Sequence, residues 1–244
     1  MCAAVNIEVM TRRGTTGKNV ATSQKPNRES PYHHGDLRNA LVRAAAALAE
    51  NGGPEAVTVR AAARRVGVTP TAAYRHFANH DQLLAAAHEQ AQRTLFDAIS
   101  ESIATLEPDA HPMRKLDAAG RGYITFAMRE PGLFRTAFCV TETTADVTET
   151  THGDQGYLDA PAFTLLTDLL DEMVAIGYTD PADRPEAELG AWSTVHGMAW
   201  LIIDGALGHL DDGRREVMVQ HVIDLVRRGL GTGPAAASYL GGPH

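Results

Sequence analysis

Apolar positions recur at intervals of three and four along most of this chain, in blocks that end at glycine, proline or short polar runs. No stretch shows the strict alternation of a half-buried strand, so the pattern predicts an all-α fold of about nine helices. The first covers Leu37 to Glu50. Thr58 caps the second, whose Val59, Ala63 and Val66 share one face, and Gly67 ends it because glycine takes a positive φ without steric cost. Thr69 caps the third, with Pro70 at its first position, where a missing N–H is no loss. Asn79, with Gln82 three residues on, opens a long fourth helix reaching about Leu106. Pro108, Pro112 and Pro131-Gly132 punctuate two more, Met113 to about Glu130 and Leu133 to Val140. The last three run from about Ala160 to Ile176, Pro185 to Leu210 and Arg214 to Leu230. Residues 1–30 and the Gly/Ala/Pro-rich end from Gly231 read as flexible tails, and Thr141 to Gln155 as an acidic loop.

Two short helices around a glycine turn make Thr58 to Phe77 a helix-turn-helix, the motif whose second helix enters the DNA major groove. Small Ala72 and Ala73 permit close approach, and Arg64, Arg65, Arg75 and His76 offer donors for phosphates. Phe77 reads as core; Tyr74 divides between packing its ring and reaching a phosphate with its hydroxyl. Arg64 and Arg65 serve either the duplex or a plain solvated face.

The net charge of −8 looks wrong for a nucleic-acid partner until the chain is divided. Residues 1–90 hold 11 Lys and Arg against 7 Asp and Glu, a balance of +4, whereas residues 91–244 hold 11 against 23, a balance of −12. The basic end coincides with the helix-turn-helix, and the acidic remainder is repelled from a duplex, which orients docking. Arg12, Arg13, Lys18, Lys25 and Arg28 make the leading tail either a disordered leader or a basic arm that adds phosphate or minor-groove contacts. No window of some 18 apolar residues appears, which predicts no membrane span, and Met1 to Met10 lacks the basic start and apolar block of a signal peptide. Cys2 and Cys139 are too few for a disulfide framework and lack metal-ligand spacing. A cytoplasmic protein is expected.

The run from Gly35 to Leu84 resembles the N-terminal domain of the TetR family of transcriptional regulators. Thr58-Val59-Arg60, Val66-Gly67-Val68-Thr69, Tyr74-Arg75-His76-Phe77 and Asn79-His80-Asp81-Gln82-Leu83-Leu84 carry the likeness in order and spacing. The resemblance implies that Thr58, Arg60, Thr69, Pro70, Thr71, Ala72, Tyr74, Arg75, His76 and His80 face DNA. It further implies a homodimer on a palindromic operator, a repressor's role and release by a small inducer. The family usually has lysine where His80 stands; a neutral imidazole there predicts weaker, more pH-sensitive backbone contact. Residues 31–84 are then the DNA-binding domain and 85–232 a helical regulatory and dimerisation domain, between tails at 1–30 and 233–244.

Trp192-Ser193-Thr194-Val195-His196-Gly197 resembles the Trp-x-x-x-His-Gly signature of one class of TetR C-terminal domains. Trp192, His196 and Trp200 stand four apart on one helix face. Gly197 inside a helix costs on the order of 1 kcal/mol against alanine, which calls for a reason such as close helix approach. With Tyr123, Phe126, Phe134, Phe138 and Phe163, these residues either line a pocket for a small, mostly apolar ligand or form the ordinary bundle core or dimer seam.

The chain carries no P-loop, G-x-S-x-G, H-E-x-x-H or paired-cysteine pattern, so no catalytic residue, metal ligand or cofactor is assigned. An enzyme would have to gather His196, His209, His221 and Asp204 from separate places. A regulator controlled by a protein partner alone, through the acidic Thr141–Asp159 stretch, would have a fully packed second half and no pocket.

Overall fold

The computed structural model describes residues 34–139 and 160–240 of the 244-residue chain. The tail at 1–30, the acidic stretch 141–159 and residues 241–244 lie outside them. Ten α-helices and no strand occur among the described residues. They are α1 (His34–Gly52), α2 (Val59–Val66), α3 (Pro70–Tyr74), α4 (His80–Ala104), α5 (Pro112–Arg129), α6 (Pro131–Ala137), α7 (Pro161–Ala175), α8 (Ala187–Ile203), α9 (Asp212–Leu230) and α10 (Ala236–Leu240).

Local chemistry sets the first boundaries. The Thr58 hydroxyl accepts from the Ala61 amide at 3.1 Å, and Gly67 closes α2 at φ 81°, where its amide reaches the carbonyls of Ala63 and Arg64. Thr69 caps α3 through the Ala72 amide at 3.2 Å. Asn79 accepts from the Gln82 amide at 2.9 Å; the return arm from Gln82 goes to the Ala78 amide, one residue earlier than in a simple capping box. In α2 the buried residues are Val59, Ala62 and Ala63, with Val66 half-buried, so the apolar stripe runs through Ala62 more than through Val66.

A continuous core joins the first three helices to the rest, because α4 belongs to both parts. Near its start, Leu83, Leu84, Ala86 and Ala87 are buried together with Leu41, Ala45, Ala63 and Phe77; further along, Leu95 and Ile99 are buried with Tyr123, Ile124 and Val195. Phe77 is 2% exposed, with the Arg38 guanidinium 5.1 Å from its ring centre. Short α6 bridges the same two regions. At Gly132 a Cβ would stand only 2.0 Å from the Ala49 carbonyl oxygen of α1, while Phe134 is fully buried beside Tyr123.

Two expectations need correction. The eighth helix stops at Ile203, with Gly205 and Gly208 in the turns that follow, instead of running to Leu210; a Cβ on Gly205 would meet the Leu201 backbone at 2.8 Å. The end from Gly231 does not fray throughout. The amides of Gly233 and Ala235 donate to the carbonyls of Tyr178 and Gly177, and α10 buries Ala236 against a second core of Met113, Leu116, Leu169, Leu170, Met173, Tyr178 and Leu230. Small residues are what let this segment lie flat on the 177–178 turn, where a Cβ on Gly233 would strike the Gly177 carbonyl at 2.3 Å.

Candidate nucleic-acid interface and cavity

The residues singled out on the helix-turn-helix are on its surface. Thr58, Arg60, Thr69, Pro70, Thr71, Tyr74, Arg75 and His80 are exposed, and Ala72 and His76 are half-buried. Tyr74 keeps 43% of its surface in solvent, whereas its neighbour Ala73 is fully buried against the core. Thr58 and Thr69 use their oxygens as acceptors in the caps, so each hydroxyl hydrogen remains to be donated outward. Arg64 and Arg65 are exposed in the last turn of α2, adding two cations to those of Arg60 and Arg75. The arrangement offers point charges and short polar donors around a helix of five residues, which suits a phosphate backbone with a few base edges.

Between α4, α5, α7, α8 and α9 lies a cavity of about 80 Å³. Of the eight residues offered for a pocket or a core, Tyr123, Phe138, Phe163 and Trp192 line it. Phe134, His196 and Trp200 do not reach it; they form a layer behind Tyr123 and Phe138, with the Phe138 and His196 rings 4.7 Å apart. Phe126 is buried on another side of α5 and belongs to the core. The rest of the wall is aliphatic, including Leu95, Ile99, Leu116, Val195 and Ile223, which periodicity cannot tell from ordinary core.

Hydrogen bonds link the His196 and Trp200 rings of this layer to Tyr123 and Trp192 of the wall. The Trp200 Nε1–H donates to His196 Nε2 at 2.8 Å, His196 Nδ1 lies 2.6 Å from the Tyr123 hydroxyl oxygen, and the Trp192 Nε1–H donates to that same oxygen at 3.2 Å. Indole is a donor only, so Nε2 of His196 must be unprotonated. Burial pushes the His196 pKa below its ordinary 6.5, and a second proton would set two N–H groups against each other. His88, whose Nδ1 lies 3.1 Å from the Thr136 carbonyl where α4 meets α6, is also lowered by burial.

These shifts give stability a pH dependence of definite sign. A depressed histidine pKa means the unfolded chain binds more protons, so the contribution is complete above about pH 6.5 and declines as pH falls. The melting temperature is expected to hold between about pH 8 and 7 and to drop toward about pH 5.5, with a smaller drop in His196→Gln. A flat profile over that range would contradict the assignment.

The residues that an enzyme would have to gather have other surroundings. His209 and His221 are exposed, and Asp204 is held by the Arg135 guanidinium at 2.8 and 2.5 Å, tying α6 to the end of α8. No group of three His, Cys, Asp or Glu among the described residues is arranged to hold a metal ion, and no helix among them is long and apolar enough to cross a membrane.

Comparison with known proteins finds relatives for two stretches of the chain. A family model described as bacterial regulatory proteins of the tetR family matches residues 41–87, and one described as a tetracyclin repressor-like C-terminal domain matches residues 116–226. The nucleoid occlusion factor SlmA of Aliivibrio fischeri is 28% identical over 117 residues, 48% of this chain and 54% of SlmA, so the chain spans about half the length of the curated relatives it matches. A protein of unknown function from Rhodococcus sp. RHA1 is 26% identical, with a TM-score of 0.64 over 84% of this chain and 100% of that one. RolR in complex with resorcinol has the same fold at 14% identity, with a TM-score of 0.56 over 86% of this chain and 95% of that one. With a helix-turn-helix that matches the family at one end and a helical domain that matches it at the other, the chain belongs to the TetR family of transcriptional regulators.

Proposed function

We propose that this regulator is a homodimeric repressor that binds a near-palindromic operator and is released when a small, mostly apolar molecule enters the cavity. The observation that carries this reading is the double duty of α4. Its first turns pack the helix-turn-helix through Leu83, Leu84 and Ala87, and its later turns supply Gln92, Leu95 and Ile99 to the cavity wall. Leu84 and Ile99 are roughly 22 Å apart along one helix, so a small tilt forced at the cavity is felt at the DNA-binding end. Helix α6 supports the same coupling, since it touches α1 at Gly132 and the aromatic layer at Phe134. RolR, which shares the fold, binds resorcinol, a small aromatic molecule.

The two recognition helices of a dimer sit about 34 Å apart to enter successive major grooves, which favours an operator with twofold symmetry. A ligand that fits only a form with a different spacing shifts the population away from DNA, and by linkage DNA weakens the ligand to the same degree. A second half packed without a cavity would instead have favoured control by a protein partner alone.

The test begins with selection of bound sequences from a random duplex pool at two salt concentrations. A near-palindromic site, bound more weakly at higher salt, is the expected result; no enriched sequence at either salt sinks the reading. On that site, Tyr74→Ala and His76→Ala are each expected to weaken binding about tenfold, while the protein stays dimeric. Parent-like affinity in both variants would mean that another face docks.

A further inference from the structure

The hydrogen bonds around Tyr123 leave one donor without an acceptor among the described residues. Because Trp200 donates to Nε2 of His196, the neutral imidazole carries its hydrogen on Nδ1, and that N–H donates to the Tyr123 oxygen. Trp192 donates to the same oxygen, so both of its lone pairs are taken. The Tyr123 O–H must therefore point elsewhere. Tyr123 is only 6% exposed, and the open space beside it is the cavity that it lines. Among the described lining residues the other polar side chains are Gln92, whose amide nitrogen donates to the Ala137 carbonyl, and Asp117, paired with Arg227; a buried hydroxyl hydrogen facing this mostly apolar space favours an acceptor there.

Three further features narrow what that acceptor belongs to. The cavity's 80 Å³ is several times the ~15 Å³ that one water needs by the same measure, which suits a single small ring. The wall facing Tyr123 is mostly hydrocarbon, from Leu95, Ile99, Leu116, Val195 and Ile223. The charged residue among the described lining residues is Asp117, whose carboxylate is paired with the Arg227 guanidinium at 3.6 Å, so the wall offers no free cation to an anionic ligand and would strip its charge of water.

We propose that the effector is an uncharged, largely apolar molecule of about one six-membered ring that presents a single carbonyl-type acceptor to the Tyr123 hydroxyl. This rests on reading the cavity as the effector site. Tyr123 selects for the oxygen and the aliphatic wall for the ring. Burial holds the phenol far above its usual titration range, so it stays a donor at any working pH.

Cyclohexanone and methylenecyclohexane share a ring and differ in =O against =CH₂. Each is titrated into the full-length protein and followed by the fluorescence of Trp192 and Trp200, its two tryptophans. Tyr123→Phe is expected to weaken cyclohexanone about tenfold relative to methylenecyclohexane. Cyclohexanecarboxylate should bind the parent at least about tenfold more weakly than the ketone does. Because the variant also takes an acceptor from Trp192 and His196, the infrared carbonyl stretch of cyclohexanone bound to the parent gives an independent reading. A shift to lower wavenumber than in alkane solvent is expected. An unshifted band, or the same ketone preference in both proteins, overturns the role of Tyr123 while leaving the cavity reading intact. Failure of both neutral rings to bind at millimolar concentration overturns the cavity reading and this inference with it.

Discussion

Gly132→Ala is expected to destabilise the protein by about 3 kcal/mol, a drop of roughly 6–12 °C in melting temperature for a chain of this size. The added Cβ would lie 2.0 Å from the Ala49 oxygen and 2.6 Å from the Glu50 oxygen, both in the last turns of α1. Backbone carbonyls inside a helix cannot swing aside as a side chain can, so either α6 moves or α1 does. Moving α6 disturbs Phe134, which is packed against Tyr123, Phe138, His196 and Trp200. Moving α1 disturbs the support beneath the helix-turn-helix, where Leu41, Ala45 and Ala49 are fully buried. The substitution should therefore lower operator affinity as well as stability. Thermal melts of the variant beside the parent read the effect. A Gly132→Ala protein that melts with the parent would mean that α6 is not seated on α1 as described.

How far this fold was readable from the chain depends on whether the determining contact is local. Thr58, Gly67, Thr69, Pro70 and Asn79 act within four residues of themselves, and the structure uses each as its chemistry predicts. The burial of Phe77 also followed from its neighbours, whereas the sequence divides Tyr74, 43% exposed, between packing and solvent. Long-range partners were not readable. Nothing near Tyr123 in sequence points to His196, 73 residues on, and nothing near Arg135 points to Asp204. Aromatic residues drew attention to the cavity because they are large and few. Only Tyr123, Phe138, Phe163 and Trp192 of the eight line it, since which side of a helix faces a gap depends on how four other helices pack. Leu95, Val195 and Ile223 line it just as closely, yet in sequence they look the same as Leu41 or Ile124 in solid core. The docked end at Gly233 and Ala236 was misread because low side-chain bulk, which suggests a tail, is also what close backbone packing requires.

Gly197→Arg is expected to convert a dimer into a folded monomer and to cut operator affinity on the order of 100-fold or more. Gly197 sits in the interior of α8, where glycine costs about 1 kcal/mol against alanine, and its own chain offers no reason for it: a Cβ there would meet nothing within 4 Å. Gly190, a little under two turns earlier, is equally open. The same side of α8 exposes Leu189, Ser193 and, four residues beyond Gly197, Leu201, and α9 exposes Val217, His221 and Leu225 at four-residue spacing. Large apolar residues left in solvent beside unexplained glycines fit a second pair of helices approaching closely, which is the dimer seam of the proposed function. Arginine at 197 adds helix propensity and disturbs no contact within the chain, so the circular dichroism of the variant should stay helical. At the seam it places a long charged side chain where a partner backbone has to come near. Sedimentation at micromolar concentration separates the outcomes: a monomer with parent-like helicity supports the seam, and a dimer with parent-like operator affinity places the interface elsewhere. Tyr74→Ala is the complementary case, losing DNA while remaining dimeric. The two variants together distinguish a failure to touch the operator from a failure to present two recognition helices at once.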